Sequence, residues 1–369
     1  MLAERIPYDR AMRHVVAGFD VGGSKVALVV EDARDGRACR TVEPTDTSSV
    51  AVRRVGGSRV YDGLARQLIR MLHTALEQLH DPQLLAAGVV SAGRINGGGL
   101  LTPANIVAQG VTPIARSAPL FLPLVEPLRE AFHCPIELVN DCRGAVLGEV
   151  YDGLGKGVVD KNTLHLAYVT ISTGFGVGAW DRGHLVLGKD GNAGELGHLV
   201  VRPGGLRCGC GNLGCVEAYA SGAGVVRNAL ARLHTLGSET ERSARWAKLI
   251  GAPETPDIVS PVPEAAQAIL TPAMIFEAAS RDDALAVSVV EDLVFAAGFA
   301  FAAIANAYDP EVISVGGGIA LAHPDLVPRI HAEMLRHLRV SPPEVLLTPL
   351  GSAAGERGAL AIARDIATR

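Results

Sequence analysis

Hydrophobic and polar positions follow two different spacings along the chain, and their order predicts an α/β protein. β-branched apolar runs on both sides of a Gly-Gly turn, from His14 to Asp32, predict two strands joined as a hairpin. Apolar residues recur every three or four positions between Asp62 and His80, which predicts an amphipathic helix. A strand that turns into a helix is predicted over Pro135–Val150. Because strands and helices alternate to the end of the chain, the predicted fold class is α/β.

One segment, from Asp282 to Pro310, is apolar on nearly all sides and predicts a buried helix. Its longest run without a charge, Leu293 to Tyr308, has 16 residues, fewer than the roughly 20 that span a bilayer. The N-terminal residues are interrupted by charges and contain no apolar signal-peptide core. We therefore expect a cytoplasmic protein that does not interact with a membrane.

Length and charge limit the possible functions. A chain of 369 residues exceeds what one core usually serves, so we expect two domains. The net charge is −5 and no basic cluster occurs, which argues against a nucleic-acid partner and favours a small molecule. Residues 233–271 are rich in polar residues and proline, and predict a partly ordered excursion.

Two glycine-rich turns, Asp20–Lys25 and Thr170–Gly178, each follow an apolar run. Closely spaced glycines let several backbone N–H groups face one anion, so both turns are candidate phosphate sites. Neither matches the Walker pattern or the dinucleotide fingerprint. An ordinary tight turn remains the alternative for each.

Three of the six cysteines, Cys208, Cys210 and Cys215, lie within eight residues. A disulfide staple, a metal site and a brace for an active site are the possible roles of this cluster. Because a cytoplasmic compartment is reducing, a disulfide is the least favoured of the three.

Six segments in order resemble the ROK family of sugar kinases and sugar-responsive repressors. They are "DVGGSK", "VNDCRGAVLGE", "TISTGFGVG", "GNAGELGH", "CGCGNLGCVEAYASG" and "VGGGIA", and the likeness runs from about Gly18 to the C-terminus. The resemblance implies two ribonuclease-H-like domains of the actin and hexokinase type, with a ligand cleft between them. The first domain would comprise residues 1–138 and a C-terminal helix at 353–369, and the second would comprise residues 139–352.

The resemblance also assigns ligands. It implies that a structural Zn²⁺ is held by His198, Cys208, Cys210 and Cys215, the number of ligands that a closed tetrahedral site needs. The second ring nitrogen of His198 would face a sugar hydroxyl, so the metal would brace the substrate pocket. The implied sugar-binding residues are Gly93, Arg94, Asn105, Asn140, Asp141, Glu195, His198 and Glu217. Taken singly, each carboxylate in this set could be an ion pair or a helix cap.

The implied chemistry is phosphoryl transfer from ATP, with Asp141 as the general base that accepts a proton from the sugar. A helix cap is the alternative role for Asp141. Asp20 would hold Mg²⁺ directly or through water. The implied ATP and phosphate contacts are Asp20, Gly22, Gly23, Ser24, Lys25, Thr173, Gly174, Gly316 and Gly317.

The chain departs from the family pattern at two places. Ser24 replaces the usual threonine and keeps the hydroxyl. Cys142 and Arg143 follow Asp141 where the family more often has small or polar residues. Arg143 is either a phosphate or sugar-phosphate contact or a cation on a solvated helix face.

The predicted activity is an ATP-dependent hexose kinase that phosphorylates the 6-hydroxyl, with glucose favoured. N-acetylmannosamine and N-acetylglucosamine are alternative substrates, and ADP or polyphosphate are alternative donors. A non-catalytic sugar sensor is the alternative of another class. Related DNA-binding repressors carry a DNA-binding domain before the "DVGG" segment, and only 19 residues precede Asp20 here. The family also leads us to expect a homodimer.

Overall fold

The computed structural model describes residues 13–47, 52–55, 58–61, 63–101, 121–251 and 269–369. The chain divides into two compact units. The first unit comprises Met1–Val159, Leu187–Ala193 and Ala353–Arg369. The second comprises Asp160–Val186 and Gly194–Ser352.

The first unit is built on a five-stranded mixed sheet. Its strands and helices are β1 (His14–Val21), β2 (Lys25–Asp32), β3 (Ala38–Pro44), β4 (Val52–Val55), β5 (Ser58–Tyr61), α1 (Leu64–Gln78), β6 (Gln83–Ser91), β7 (Arg94–Asn96), β8 (Gly99–Leu101), β9 (Phe121–Pro123), α2 (Val125–Phe132), β10 (Ile136–Asn140), α3 (Asp141–Tyr151) and the C-terminal helix of the chain, Ala354–Thr368. The main sheet has the order β10-β6-β1-β2-β3, in which β1 pairs antiparallel with β2 and parallel with β6. The predicted hairpin at His14–Asp32, the helix after Asp62 and the strand-to-helix turn at Asn140 are therefore confirmed.

Residues 139–159 lie in the first unit, whereas the sequence predicts them for the second. The cause is the close packing of α3 against the C-terminal helix. A Cβ atom at Gly358 would collide with the backbone of Gly144, so these two helices meet where neither has a side chain. The segment Leu187–Ala193 also lies in the first unit rather than in the predicted second one.

The second unit repeats the same sheet order. Its strands and helices are β11 (His165–Ile171), β12 (Phe175–Asp181), β13 (His184–Leu185), α4 (Gly222–His234), α5 (Glu239–Leu249), α6 (Pro272–Ser280), α7 (Ala284–Tyr308), β14 (Val312–Gly316), α8 (Gly318–Ala322), α9 (Leu326–Leu335) and β15 (Glu344–Leu347), and the C-terminal helix of the first unit is α10. The sheet has the order β13-β12-β11-β14-β15. When the five strands of each main sheet are numbered in chain order, both sheets have the order 3-2-1-4-5, and the first sheet is read from β3 to β10. This is the strand order of the ribonuclease-H fold, so the predicted fold class is confirmed.

The predicted buried helix is α7, which has 25 residues. Within the described residues it is the one helix long and apolar enough to span a bilayer, and it exceeds the 16-residue run noted in the sequence. Yet 67% of its most apolar window is buried inside the protein. Val289, Leu293, Ala297 and Phe301 pack in the core of the second unit, so α7 is a core helix.

The predicted excursion at 233–271 is partly helical. Helix α5 begins after Ser238, whose side chain accepts a hydrogen bond from the backbone N–H of Glu241. Trp246 and Leu249 of α5 are buried in the core of the second unit. Residues 252–268 of the excursion lie outside the described residues.

Candidate active site

The first glycine-rich turn joins β1 to β2 in the first unit. Val21 pairs with Val26, and the N–H of Gly22 donates to the carbonyl of Lys25 at 2.9 Å. Gly23 and Ser24 occupy the tip between them, and Ser24 and Lys25 are exposed. The residues predicted to contact phosphate therefore form one tight turn.

Asp20 lies one residue before the end of β1 and next to the first turn of α10. A Cβ atom at Gly355 would collide with its carboxylate, so glycine there leaves room for Asp20. The pKa of Asp20 is raised to about 7, first by burial and then by the charges of Asp141 and Glu356. The positive charge of Lys25 opposes this rise.

Two charged residues near Asp20 were not identified from the sequence. Glu356, in the first turn of α10, is 3% exposed and forms a two-bond ion pair with Arg40 of β3. The distances are 2.7 Å from Nε to Oε2 and 2.6 Å from Nη2 to Oε1. Arg40 and Glu356 are 316 positions apart in the sequence, so no local pattern predicts that they pair.

Asn140 and Asp141 lie where β10 ends and α3 begins, also in the first unit. Asn140 is the N-cap of α3, because its Oδ1 accepts from the N–H of Cys142 at 3.0 Å. Its Nδ2 donates to the carbonyl of Gly93 at 3.3 Å. Gly93 has φ of +102°, a conformation that favours glycine. Three residues of the predicted sugar set are thus brought together.

Asp141 is the first residue of α3. Burial raises the pKa of its carboxyl group. Hydrogen bonding to the N–H of Cys142, at 2.9 Å, and the charge of Arg143 lower the pKa by smaller amounts. The same N–H also donates to Asn140, so α3 is capped without Asp141.

Arg143 is 1% exposed and donates to the carbonyl of Ala193. The interpretation of Arg143 as a cation on a solvated helix face is therefore wrong. Arg94 is exposed at the start of β7. Asn105, the remaining predicted sugar residue of this part of the chain, lies outside the described residues.

The second glycine-rich turn, between β11 and β12, lies in the second unit beside Glu217. The N–H of Phe175 donates to Oε2 of Glu217 at 3.2 Å. A Cβ atom at Gly174 would lie 2.9 Å from the same oxygen. Thr173 lies at the tip of this turn. Glu217 therefore joins the cysteine segment to the second candidate phosphate turn.

The predicted metal ligands converge in the second unit. The Nδ1 atom of His198 and the Sγ atoms of Cys208, Cys210 and Cys215 all lie within 4.8 Å of one another. Two sulfurs at about 2.3 Å from one tetrahedral Zn²⁺ lie about 3.8 Å apart. The separation of Cys210 and Cys215 is 3.8 Å, and that of Cys208 Sγ and His198 Nδ1 is 3.7 Å. The four residues fit a zinc ion.

The spacing also excludes disulfides within the cluster, since all three cysteines are free and bonded sulfurs lie about 2.05 Å apart. Burial is the largest cause that raises the pKa of both Cys208 and Cys215. A bound cation reverses this effect and holds thiolates. The other ring nitrogen of His198, Nε2, lies 3.9 Å from a carboxylate oxygen of Glu195. The ring therefore faces the cysteines with Nδ1 and a predicted sugar-binding residue, Glu195, with Nε2.

The "VGGGIA" segment forms the end of β14 and the start of α8. Gly317 has φ of +91°, and a Cβ atom there would lie 2.5 Å from the carbonyl oxygen of Ile171. A Cβ atom at Gly316 would collide with the side chain of Tyr168. These two predicted adenosine contacts therefore have a packing role in the second unit. Gly318, which we did not predict, has open space at its Cβ position.

Comparisons with known proteins all lead to one family. The profile of the ROK family matches residues 16–366. A glucokinase of Halalkalibacterium halodurans is 35% identical over 240 residues, which cover 64% of this chain and 66% of that protein. An N-acetylmannosamine kinase of Yersinia pestis is 29% identical over 304 residues, covering 82% of this chain and 83% of that protein.

A solved structure supports the same assignment. The ROK family glucokinase from Streptomyces griseus, in complex with glucose and AMPPNP, is 27% identical and has a TM-score of 0.66. The match covers 95% of this chain and 99% of that one. With a family profile that extends over nearly its whole length, the chain belongs to the ROK family.

Proposed function

We propose that the protein is an ATP-dependent hexose kinase that transfers the γ-phosphoryl group to the 6-hydroxyl of a hexose, with glucose favoured. The observation that carries the proposal is the position of Asp141. Its carboxylate interacts electrostatically with Asp20, which lies beside the Gly22–Lys25 turn of the same unit. A candidate base and a candidate phosphate turn thus belong to one unit, which supports their acting on one reaction, since phosphoryl transfer depends on positioning.

Asp141 acts as the general base. Phosphoryl transfer needs little covalent chemistry from the protein and depends on positioning and charge. Asn140 and the Gly93 carbonyl orient the sugar so that its 6-hydroxyl donates to the Asp141 carboxylate. The oxygen then attacks the γ-phosphorus, the bond to the β-phosphate oxygen breaks, and the carboxylate retains the proton.

ATP binds with its phosphates at the Gly22–Lys25 turn. Lys25 and the backbone N–H groups of the turn contact the phosphate oxygens, and Asp20 holds Mg²⁺ directly or through water. The ion neutralises phosphate charge when bound. In the second unit, the turn with Thr173 and Gly174 contacts the phosphates. The open position at Gly318 extends the predicted adenosine contacts beyond Gly316 and Gly317.

The second unit supplies the other sugar contacts. Glu195, Glu217 and the Nε2 atom of His198 bind sugar hydroxyls, because a hydroxyl is both a donor and an acceptor and pairs with such groups. Zn²⁺ bound by His198 and the three cysteines fixes the histidine ring when present. Arg94 and Asn105 remain predicted contacts of the same sugar.

A coupled ADP-release assay tests the proposal. MgATP is offered with glucose, mannose, fructose, allose, N-acetylglucosamine and N-acetylmannosamine, and the zinc content of the protein is measured in the same preparation. We expect turnover with glucose to exceed that with the other sugars. The Yersinia pestis relative favours N-acetylmannosamine as the second candidate, and turnover with that sugar alone would replace glucose in the proposal.

A different phosphoryl donor and a non-catalytic sensor give distinct results in these assays. Turnover that depends on ADP or polyphosphate in place of ATP would change the donor and leave Asp141 as the base. Sugar binding by calorimetry without turnover for any donor would refute the kinase and favour a sensor. The expected homodimer is tested independently by analytical ultracentrifugation.

A further inference from the structure

A buried glutamine lies on the apolar face of α1. Leu64, Leu68 and Met71 form this face, and Gln67, one turn from Leu64 and Met71, is only 5% exposed. A polar side chain at such a position requires hydrogen-bond partners, because burying an unsatisfied amide is costly.

The partners of Gln67 lie at the end of β3 and just beyond it, and they include the Glu43 carboxylate, which accepts from Nε2 at 3.3 Å. The Oε1 atom of Gln67 accepts from the N–H of Asp46 at 2.8 Å, and its Nε2 also donates to the carbonyl of Pro44 at 2.7 Å. The two backbone bonds flank a single residue, Thr45. Gln67 therefore fixes the backbone on both sides of Thr45.

Thr45 in turn holds the Gly22–Lys25 turn by two hydrogen bonds. Its hydroxyl donates to the carbonyl of Gly22 at 2.8 Å. Its backbone N–H donates to the carbonyl of Ser24 at 3.1 Å. Since β2 pairs with β3 as far as Lys25 and Pro44, Thr45 extends this ladder by one residue into the turn.

These bonds fix the direction of two N–H groups in the turn. In a trans peptide the C=O and N–H of one peptide unit point in opposite directions. Holding the Gly22 carbonyl therefore directs the N–H of Gly23 away from Thr45, and holding the Ser24 carbonyl does the same for the N–H of Lys25. A Gly-Gly peptide rotates easily, so without such restraint these N–H groups would lose their common direction.

We propose that Thr45, held in place by Gln67, is a positioning residue that orients the N–H groups of Gly23 and Lys25 toward the phosphates of ATP. The inference rests on the proposed function only in naming ATP as the ligand. Thr45 itself does not contact the nucleotide. The hydroxyl, and not the bulk of the side chain, is the part that acts, since it alone reaches the Gly22 carbonyl.

The test compares Thr45→Val, which removes the hydroxyl at nearly constant volume, with Thr45→Ser, which keeps it. Binding of ADP with Mg²⁺ is measured by calorimetry, and KM for ATP and for the sugar by the coupled assay. Loss of one neutral hydrogen bond predicts about a 3- to 10-fold weaker affinity for ADP and a similar rise in KM for ATP in Thr45→Val. Thr45→Ser and the KM for the sugar should remain at wild-type values.

A second pair of variants tests the role of Gln67. Gln67→Leu removes both hydrogen bonds to the backbone around Thr45 and should weaken ADP binding at least as much as Thr45→Val. Gln78→Leu makes the same change on the exposed face at the end of the same helix and should have no effect. Thermal denaturation of each variant identifies any that fails to fold. If Gln67→Leu does not fold, Thr45→Val still tests the proposal.

Two results with Thr45→Val would overturn the inference. The first is wild-type affinity for ADP in Thr45→Val. The second is an equal loss of sugar and nucleotide affinity, which would indicate general damage to the first unit. If the wild-type protein binds ADP but phosphorylates no sugar, the proposed activity fails while this test stands. If it binds no adenine nucleotide, the phosphate turn and this inference are both refuted.

Discussion

Replacement of Asp141 by asparagine separates a catalytic role from a structural one. Asparagine has the same shape, keeps an oxygen that accepts from the N–H of Cys142, and cannot take up a proton from a sugar. Asn140 continues to cap α3 in the variant. A catalytic Asp141 therefore predicts a loss of activity in a folded protein, whereas an Asp141 whose charge stabilises the fold predicts a loss of stability.

The magnitudes follow from the environment of the carboxylate. Removing a general base lowers kcat by about 10² to 10⁴, or about 2.7 to 5.5 kcal/mol in the barrier. Because burial raises the pKa of Asp141 in the folded state, its ionisation disfavours folding. Each unit of that rise costs about 1.4 kcal/mol at pH values above the folded-state pKa. The asparagine variant should therefore be as stable as the wild type near pH 3.5 and equally or more stable at pH 7.5.

The assays are the coupled ADP-release rate, calorimetric binding of the sugar, and urea denaturation at both pH values. Sugar affinity should stay within about tenfold, because one hydrogen bond to the sugar is weakened and not lost. Asp283→Asn is the matched control. Asp283 caps α7 by accepting from the N–H groups of Leu285 and Ala286, and its other oxygen pairs with Arg245. Asparagine keeps the cap but removes the charge that pairs with Arg245, so the replacement should cost up to about 1 kcal/mol of stability and leave kcat unchanged.

Two results would refute the reasoning on Asp141. Turnover within a factor of ten of the wild type would remove it from the role of base. A loss of about 1 kcal/mol or more in stability at pH 7.5, with a parallel loss of folded protein in the assay, would make it a structural residue.

Three further predictions concern other parts of the site. Cys210→Ser should reduce the zinc content from about one ion per chain and raise the KM for the sugar; plasma emission spectrometry and the coupled assay check this, and a protein that keeps its metal and its sugar affinity would contradict the brace. Gly317→Ala should lower the melting temperature because of the positive φ, whereas Gly318→Ala should fold normally and raise KM for ATP; equal melting temperatures would contradict the packing argument. Burial raises the pKa of Asp20 from 3.8 to about 7, so the cost of its ionisation appears between about pH 4 and 7. Asp20→Asn should accordingly match the wild type in urea at pH 4 and exceed its stability at pH 8, by up to about 4 kcal/mol.

Local patterns in the sequence predicted most of the elements. The runs around the Gly-Gly turn predicted β1 and β2, because apolar alternation and turn residues act over a few positions. The spacing of the cysteines and His198 predicted four metal ligands through family resemblance, and the structure brings those four residues together. The division between the units was less predictable, since it depends on the contact of Gly144 with Gly358, more than 200 positions apart.

Burial of polar residues was the main feature that the sequence did not predict. Arg143 has the residue type of a solvated surface, yet it is buried, because α3 packs in the first unit next to the segment that ends at Ala193. Gln67 is buried for a similar reason, since the segment after β3 lies over the apolar face of α1. In both cases the deciding contact is made by a segment distant in the chain, and a residue's type and its local spacing carry no information about such a contact.

The carboxylates around Asp20 explain why burial there is compatible with a kinase. Asp20, Asp141 and Glu356 are three negative groups in one part of the first unit, and Arg40 forms hydrogen bonds only with Glu356 among them. Arg40 offsets part of this charge, and the charges of Asp141 and Glu356 both contribute, after burial, to the high pKa of Asp20. In the proposed mechanism, Mg²⁺ at Asp20 would relieve the repulsion between Asp20 and Asp141 and favour the ionised form of both carboxylates, one as a metal ligand and the other as a base. Binding of Mg²⁺ should thus favour ionised Asp141, so the two carboxylates would be coupled by charge.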